Sequence, residues 1–287
     1  PTWIQKANQM DKIIVVSNHS KEVFETTTPS YTHPQTGEQV NLELTTPVEV
    51  VNYPVRHFEP EDIPGLNLDC KFNFLTVAQW SPRKNLENTI RWFVEEFIDQ
   101  KVGMVVKTSI ATNSITDRNF TEKRLSALLS EYPDRKCKVY LLHGDMSDEQ
   151  MTSLYQNDRI KALVNIGHGE GYGLPIFEAA YNGLPVVSVG WSGQLDFLNH
   201  KGKDMYAKVA HNLHPVQPEA IWPGVIENGS MWAFADQGSY KMTLRKMKKE
   251  YAKHKRKAQK LKTIIENEFT SDNMYTQFMS HLNTNKE

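Results

Sequence analysis

The sequence predicts an α/β protein built on a Rossmann-like, doubly wound parallel sheet. From residue 72 onward, short apolar segments alternate regularly with amphipathic ones. The apolar segments are continuous runs, as expected for strands that are covered on both faces. In strands with one solvent-exposed face, apolar and polar residues alternate instead. Ligands of such sheets bind at the carboxyl ends of the strands, so candidate site residues should directly follow strands.

Residues 1–64 are expected to lie outside that sheet. The predicted elements are a helix over 3–10, a strand over 12–16, a helix from about Ser17 through Phe24, a hairpin around 39–44 and a strand over 48–55. Because Pro1 opens directly on a helical pattern, we interpret this region as the remnant of an N-terminal domain followed by a linker.

The predicted α/β domain covers residues 65–235. Its expected strands are 72–78, 102–108, 138–144, 162–167 and 184–190, and its expected helices are 85–100, 119–132, 147–156 and 175–182. Residues 199–235 are expected to be irregular. The remainder, 236–287, is predicted to be a long basic helix over about 238–268 and a tail.

Composition limits the classes of function. Charges nearly cancel, with 33 Lys and Arg against 34 Asp and Glu, and 39% of the residues are hydrophobic. This predicts a folded core and no specific nucleic-acid partner. Cys70 and Cys137 lack zinc-binding spacing, so we expect no metal site, and they suit a reducing, cytoplasmic compartment.

The most informative segment, 165–185, reads as a strand, a glycine-rich loop and a helix. Its loop glycines are Gly167, Gly169, Gly171 and Gly173. They would let the backbone approach a ligand, and the amides at the helix start would bind an anion. Glu170 in the loop and Glu178 in the predicted first helical turn could accept hydrogen bonds from sugar hydroxyls. The alternative is a turn without a ligand, in which Glu178 only favours the helix dipole.

The string EGYGLPIFEAAYNGLPVV resembles the motif EGFGLPxxEAMAxGxPVV of the retaining GT-B glycosyltransferases, especially glycosyltransferase family 4. Segments 11–24, 74–93, 141–156 and 188–198 resemble other parts of that family, so the likeness extends over about residues 1–200. It implies a C-terminal, donor-binding half of a GT-B enzyme of the hexosyltransferase type, with the N-terminal acceptor domain largely missing.

The resemblance also assigns roles to residues. It implies that Lys84 contacts the donor diphosphate and Glu178 the ribose hydroxyls, and that Glu170, with Gly171, Tyr172, Gly173 and Leu174, holds the transferred sugar and phosphates. Glu170 and Lys84 are therefore the predicted catalytic residues. Arg83 and Lys107, near strand ends, are additional phosphate candidates.

Three positions depart from the family pattern. Ala78-Gln79 stands where Gly-Arg is frequent, so either Arg83 substitutes for that arginine or phosphate binding is weaker. His168 replaces a frequent serine, and it contacts either the sugar or phosphate or a local backbone group. Asp196 replaces a glutamate as a shorter substitute.

The resemblance further implies sugar transfer with retention, without a bound metal or cofactor, and with a nucleoside diphosphate sugar as substrate. Lys, Arg and helix amides would stabilise the departing diphosphate. The resemblance does not identify the acceptor, which is a saccharide, a lipid or a protein. We expect this chain alone to be inactive in transfer. Two alternatives stay open: a non-catalytic module that binds a nucleotide or polyanion, and a GT-B nucleotide-sugar epimerase.

The basic helix offers a further surface. Between 241 and 262 it is rich in Lys and Arg, and an apolar stripe runs along one face from Leu244 to Ile265. We expect this stripe to pack against residues 1–24 or against a second copy in a homodimer. The basic face is either solvated or contacts an anionic membrane surface, which would make the protein peripheral to a membrane.

Overall fold

The N-terminal region forms small elements beside the main sheet. The structure, a computed structural model, describes residues 2–32 and 35–282, so Pro1 and the end of the predicted tail lie outside it. The elements are α1 (Thr2–Ala7), β1 (Ile13–Val15), α2 (Asn18–Thr26), β2 (Ser30–Thr32), β3 (Gln39–Asn41) and β4 (Val48–Val50). Strands β2 and β3 pair antiparallel, which confirms the predicted hairpin, and β1 pairs in parallel with β4.

The central domain follows the predicted alternation of strands and helices. Its elements are β5 (Asn73–Val77), α3 (Leu86–Phe97), β6 (Gly103–Thr108), α4 (Ile115–Ser130), β7 (Lys138–His143), α5 (Asp148–Gln156), β8 (Ile160–Asn165), α6 (Leu174–Tyr181) and β9 (Val186–Val189). Helix α4 begins four residues before its predicted start because the hydroxyl of Ser114 accepts a hydrogen bond from the Asp117 amide and caps it.

The prediction that 199–235 is irregular was wrong. After α7 (Leu195–Leu198), the region contains β10 (Asn199–His200), β11 (Lys203–Asp204), β12 (Ala207–Val209), β13 (His211–Pro215) and β14 (Met231–Ala235). These strands are too short to show a period of their own. Strand β12 is stabilised by its parallel pairing with β9, and β13 and β14 form an antiparallel hairpin.

The main sheet has six parallel strands in the order β12-β9-β8-β5-β6-β7, so the predicted doubly wound α/β fold is confirmed. Successive side chains of one strand enter different cores. Phe74 and Met104 lie in one core with α3, whereas Leu75 and Val105 lie in the other with α6. Because both faces are covered, the strands read as continuous apolar runs.

Three helices complete the chain: α8 (Gln237–Lys249), α9 (Tyr251–Glu268) and α10 (Ser271–Leu282). The predicted single helix is divided at Glu250. The apolar stripe packs on the chain's own sheet domain rather than on residues 1–24, since Leu244 is buried in the core that contains α3 and Leu261 in the core that contains α6. In the part of the chain that the structure describes, no helix is both long and apolar enough to cross a membrane.

Candidate functional site

The glycine-rich loop lies at the carboxyl end of β8 and leads into α6. Gly173 has a φ of 89°, and a Cβ there would stand 3.1 Å from the Cδ1 atom of Ile176, so the turn requires glycine. Helix α6 begins at Leu174, which places Glu178 in the second helical turn and not, as predicted, in the first. The amides of Gly173 and Leu174 donate to no group among the described residues, so an anion could accept from both.

A compact ion cluster surrounds Glu170, whose side chain is 7% exposed. The Lys84 ammonium donates to both carboxylate oxygens, at 2.6 and 2.7 Å. The Arg83 guanidinium lies 3.2 Å from Oε2, and the Asn165 amide donates to Oε1 at 3.3 Å. Burial lowers the pKa of Lys84, while the adjacent carboxylate opposes that shift. Lys84 and Arg83, two of the predicted phosphate-binding cations, therefore share the single negative charge of Glu170.

Backbone hydrogen bonds fix the two loops that carry this cluster. Lys84 ends a short 3-10 turn over Pro82–Lys84, and Asn85 follows in a left-handed conformation with a φ of 51°. The His168 amide donates to the Arg83 carbonyl at 2.7 Å, and the Asn85 side chain donates to the Ile166 carbonyl at 3.2 Å. The charged groups are thus preorganised by the loop backbone.

On one side of the cluster lies a cavity of about 220 Å³, the lysine cleft. It is lined by Val77, Ala78, Gln79, Lys84, Lys107, Thr108, Ser109 and Pro175. It therefore lies at the carboxyl ends of β5 and β6 and reaches the start of α6, as predicted for a ligand site of this fold. Lys107 donates to the Gly144 carbonyl, and burial lowers its pKa. Two ammonium groups in one cleft favour a polyanionic ligand.

A second cavity of about 650 Å³, the tryptophan cleft, lies on the other side. Its lining residues are His19, Val23, Thr26, Thr27, Arg83, Gly169, Glu170, Gly171, Trp191, Ser230, Met231 and Trp232. It is bounded by α2, the glycine loop, the segment after β9 and the β13–β14 hairpin. Because Lys84 lines one cleft while Arg83 and Glu170 line the other, the ion cluster connects the two.

A third groove of about 660 Å³ runs along α4 and is comparable in size. Its exposed lining is mostly apolar, with Phe120 61% exposed, and it contains no residue of the glycine loop. We assign the candidate site to the other two cavities because the charged cluster and the helix-start amides converge there, and size alone does not identify chemistry.

The structure places three predicted site residues away from the ion cluster. The ring of Tyr172 packs against Phe177 and Phe197 in the core, so only its backbone faces the loop. His168 is buried, its Nδ1–H donates to the Ala233 carbonyl over 2.8 Å, and its ring stacks on Trp232. Its backbone contact is thus to a distant strand, not a local one.

Asp196 serves the contact between the N-terminal elements and the sheet domain. Its carboxylate accepts hydrogen bonds from the Asn18 amide at 2.9 Å and from the Asn52 side chain at 2.9 Å. Asp196 thereby joins α2 and the segment after β4 to the segment after β9, and its role as a direct donor contact stays a prediction.

Glu178 lies one turn into α6 and is half-buried. The Tyr155 hydroxyl donates to its Oε2 at 2.7 Å. Burial raises the pKa of Glu178, an effect that the tyrosine hydrogen bond only partly opposes. A carboxylate kept in this environment is an acceptor that a ligand hydroxyl can use.

Several site residues were missed by the sequence reasoning. Trp191 stands directly after β9, which was a usable signal, since that strand end was expected to be near a ligand. His19 and Trp232 enter the cleft from α2 and β14, far away in sequence. Asp117 accepts backbone hydrogen bonds from the loop after β6 and pairs with His143 at 2.7 Å, so it orders the loop that follows Lys107.

Comparisons with known proteins agree with the fold. No protein-family profile matches the chain. The serotype-specific mannosyltransferase WbdA of Escherichia coli is 31% identical over 118 residues, which is 40% of this chain, and the match spans only about 13% of that relative's length.

Two solved structures have a fold similar to that of this chain over nearly its whole length. Sucrose-phosphate synthase from Thermosynechococcus elongatus matches 98% of this chain and 59% of its own, with a TM-score of 0.68 and 14% identity. HepE from Anabaena, solved with UDP and glucose, matches 99% and 66%, with a TM-score of 0.65 and 15% identity. The chain therefore has the fold of GT-B glycosyltransferase domains.

Within residues 2–32 and 35–282, no group of three or more His, Cys, Asp and Glu side chains is arranged to hold a metal ion.

Proposed function

We propose that this chain binds a nucleoside diphosphate sugar and takes part in transferring its sugar to an acceptor. The observation that carries the proposal is the Lys84–Glu170–Arg83 cluster between two clefts at the carboxyl edge of the sheet. Cations and helix amides suit a diphosphate, and a buried carboxylate suits sugar hydroxyls. The UDP and glucose named with the HepE structure support this substrate class.

In this proposal the lysine cleft takes the diphosphate. Lys84 and Lys107 bind its oxygens together with the amides of residues 171–174, and Glu178 accepts the ribose hydroxyls. Glu170 releases Lys84 to the diphosphate and accepts hydrogen bonds from the transferred sugar instead. The exchange keeps the lysine paired with an anion throughout, which limits the cost of burying its charge.

We further propose, as the resemblance implies, transfer with retention and without a divalent metal. The positive charge that stabilises the leaving diphosphate would come from Lys84, Arg83 and Lys107. Donor binding should therefore persist in the presence of a chelator. Loss of binding on chelation would remove the metal-free part of the proposal, and proton NMR of a transfer product would test retention through the anomer formed.

The proposal as a whole is tested by a thermal-shift screen of adenosine, guanosine and uridine diphosphates with and without attached sugars. A ligand that binds only the native state raises the melting temperature, and the increase grows with the ligand's concentration relative to its Kd. We expect at least one nucleotide sugar to stabilise the chain more than inorganic pyrophosphate does. A response to pyrophosphate alone would favour a polyanion-binding module instead.

A further inference from the structure

We propose that the tryptophan cleft is an acceptor subsite and that it takes a saccharide, whose ring stacks on Trp191. The inference rests on the proposed function, because it assumes that the lysine cleft takes the donor. The two clefts share the Glu170 cluster, so a sugar attached to a diphosphate in the lysine cleft would meet a second ligand at Glu170 and Arg83.

Trp191 is presented to the cleft by specific local structure. Gly169 packs against its six-membered ring so closely that a Cβ would stand 2.9 Å from the Cζ3 atom. The His19 ring meets it edge-on, with ring centroids 4.7 Å apart. Ser192, the next residue, has a φ of 81°, a strained conformation for a residue with a side chain. Strain of this kind concentrates at ligand sites, where it fixes a neighbouring group.

The opposite wall is also apolar and is rigidly supported. Met231, 46% exposed, and Trp232 enter from the β13–β14 hairpin. The Trp232 ring is stacked on His168 with centroids 5.5 Å apart and planes inclined by 15°. Val23, on α2, adds a third apolar surface that is 48% exposed. The hairpin that was not predicted thus contributes Met231 and Trp232 to this cleft.

Polar groups interrupt these apolar walls. Glu170, Arg83 and the threonine hydroxyls of Thr26 and Thr27 line the same cavity. Aromatic faces combined with separate hydrogen-bonding groups match a sugar ring, whose axial C–H groups form an apolar face while its hydroxyls point outward. A further anion fits less well, because the one cation of the cleft, Arg83, is already paired with Glu170.

The transfer step that this arrangement implies is balanced. An acceptor hydroxyl oxygen forms a bond to the anomeric carbon while the bond from that carbon to the diphosphate oxygen breaks. The bonding electrons leave with the diphosphate, which also receives the hydroxyl proton. Because the cleft combines aromatic faces with hydrogen-bonding groups, the attacking hydroxyl would belong to a glycan rather than to a protein side chain.

The test is saturation-transfer-difference NMR on the full 287-residue chain with mannobiose, cellobiose and chitobiose, each with saturating nucleoside diphosphate. We expect at least one disaccharide to receive saturation. Trp191→Leu should weaken its binding by about tenfold, while nucleoside diphosphate affinity stays unchanged. Trp191→Phe, which keeps an aromatic face, should lose less. Trp222→Leu is the matched control, since Trp222 is 65% exposed and belongs to the hairpin loop outside the cleft.

Several results would overturn the inference. No disaccharide signal from a chain that binds nucleoside diphosphate would refute the acceptor subsite and leave the proposed function intact. An unchanged signal in folded Trp191→Leu would refute the role of that ring. Displacement of the disaccharide by an intact nucleotide sugar would make the cleft the donor's own sugar pocket. Failure to bind any nucleoside diphosphate would instead count against the proposed function.

Discussion

Glu170 pairs with two of the cations that the donor diphosphate is expected to need. Lys84 and Arg83 both contact its carboxylate, and the side chains of Lys84 and Glu170 are only 15% and 7% exposed. Removing one member of a buried ion pair leaves the other charge unpaired. In the proposed function, Glu170 would therefore affect both the recognition of the sugar and the affinity for the diphosphate.

Replacing Glu170 by glutamine should shift that balance. Glu170→Gln keeps a hydrogen-bonding side chain but removes the only negative charge that pairs with Lys84 and Arg83 in this cluster, which raises the net positive charge of the cluster. We expect inorganic pyrophosphate to bind about tenfold tighter, or ~1.4 kcal/mol, with a stronger dependence on salt, when measured by calorimetry. Glu96→Gln is the control, because Glu96 on α3 is equally buried and pairs with Arg245 of α8, away from both clefts. Weaker pyrophosphate binding in Glu170→Gln would contradict this account of the cluster.

Glu178 is expected to lower the stability of the native state at pH values where its carboxyl group is ionised. Its pKa is raised by burial, so the native state keeps a proton at pH values where the unfolded chain has lost it. Stability therefore falls as pH rises through the interval between the ordinary and the raised pKa. Glu178→Gln removes the buried charge and retains an acceptor for Tyr155.

The expected result at about pH 8 is a gain of about 1 kcal/mol, or roughly 2–4 °C in melting temperature. The gain should shrink near pH 4, because this pH is close to the ordinary glutamate pKa of about 4.3 and the side chain then carries less charge. Scanning calorimetry at both pH values checks this, with exposed Glu122→Gln on α4 as the control. A loss of stability at pH 8 would show that the native state favours ionised Glu178.

At the residue scale, the sequence could indicate which side chains meet where short motifs contain them, while the roles of these side chains stay predictions. Lys84, Arg83 and Glu170 were found because a glycine loop and a strand end identify them, and the structure brings them together. The contacts of Asp196 with Asn18 and Asn52 were not predicted, because these partners are far away in sequence. No local pattern reports such contacts.

At the scale of elements, the start of α6 depends on one glycine. Gly173→Ala would force a side chain into the left-handed region and against Ile176, which should cost about 1–2 kcal/mol. Gly171→Ala in the same loop should cost much less, because nothing lies within 4 Å of a Cβ there. Denaturant unfolding of the two variants compares them. Equal losses would mean that the backbone conformation at Gly173 is not what limits the turn.

Long strands that are buried on both faces could be located from the sequence, whereas short strands could not. Strands β5, β6 and β8 were located because each is a continuous apolar run buried on both faces. Strand β12 has three residues and forms only through its pairing with β9, so it leaves no signal in its own sequence. The division between α8 and α9 at Glu250 was missed because the apolar stripe continues across it.

At the scale of the molecule, the C-terminal helices are part of the sheet domain. Leu261 of α9 is 2% exposed in the core that contains α6, and Arg245 pairs with Glu96 of α3. Leu261→Ala should therefore cost about 2–5 kcal/mol in the free energy of unfolding. Met279→Ala on α10, at a residue 49% exposed, should stay within about 0.5 kcal/mol. Similar small effects of both would indicate that α9 is only loosely attached.

The same packing changes the prediction for the basic helix. Lys241 and Arg245 contact Glu95 and Glu96, and Lys255 donates to the Gly183 carbonyl, so part of its charge is satisfied within the chain. Contact with a membrane through 241–262 and dimerisation both stay predictions. They could not be judged from sequence, because charge along a helix does not reveal which side chains the rest of the fold will pair.

The central claim is that the Lys84–Glu170 cluster binds the diphosphate of a nucleotide sugar, and calorimetric titration of Lys84→Ala tests it most directly. A charged hydrogen bond to the diphosphate contributes about 1.5–3 kcal/mol, so we predict at least a tenfold loss of nucleoside diphosphate affinity. Lys101→Ala, an exposed position directly before β6 at the opposite edge of the sheet, should bind normally. A folded Lys84→Ala variant with unchanged affinity would contradict the claim.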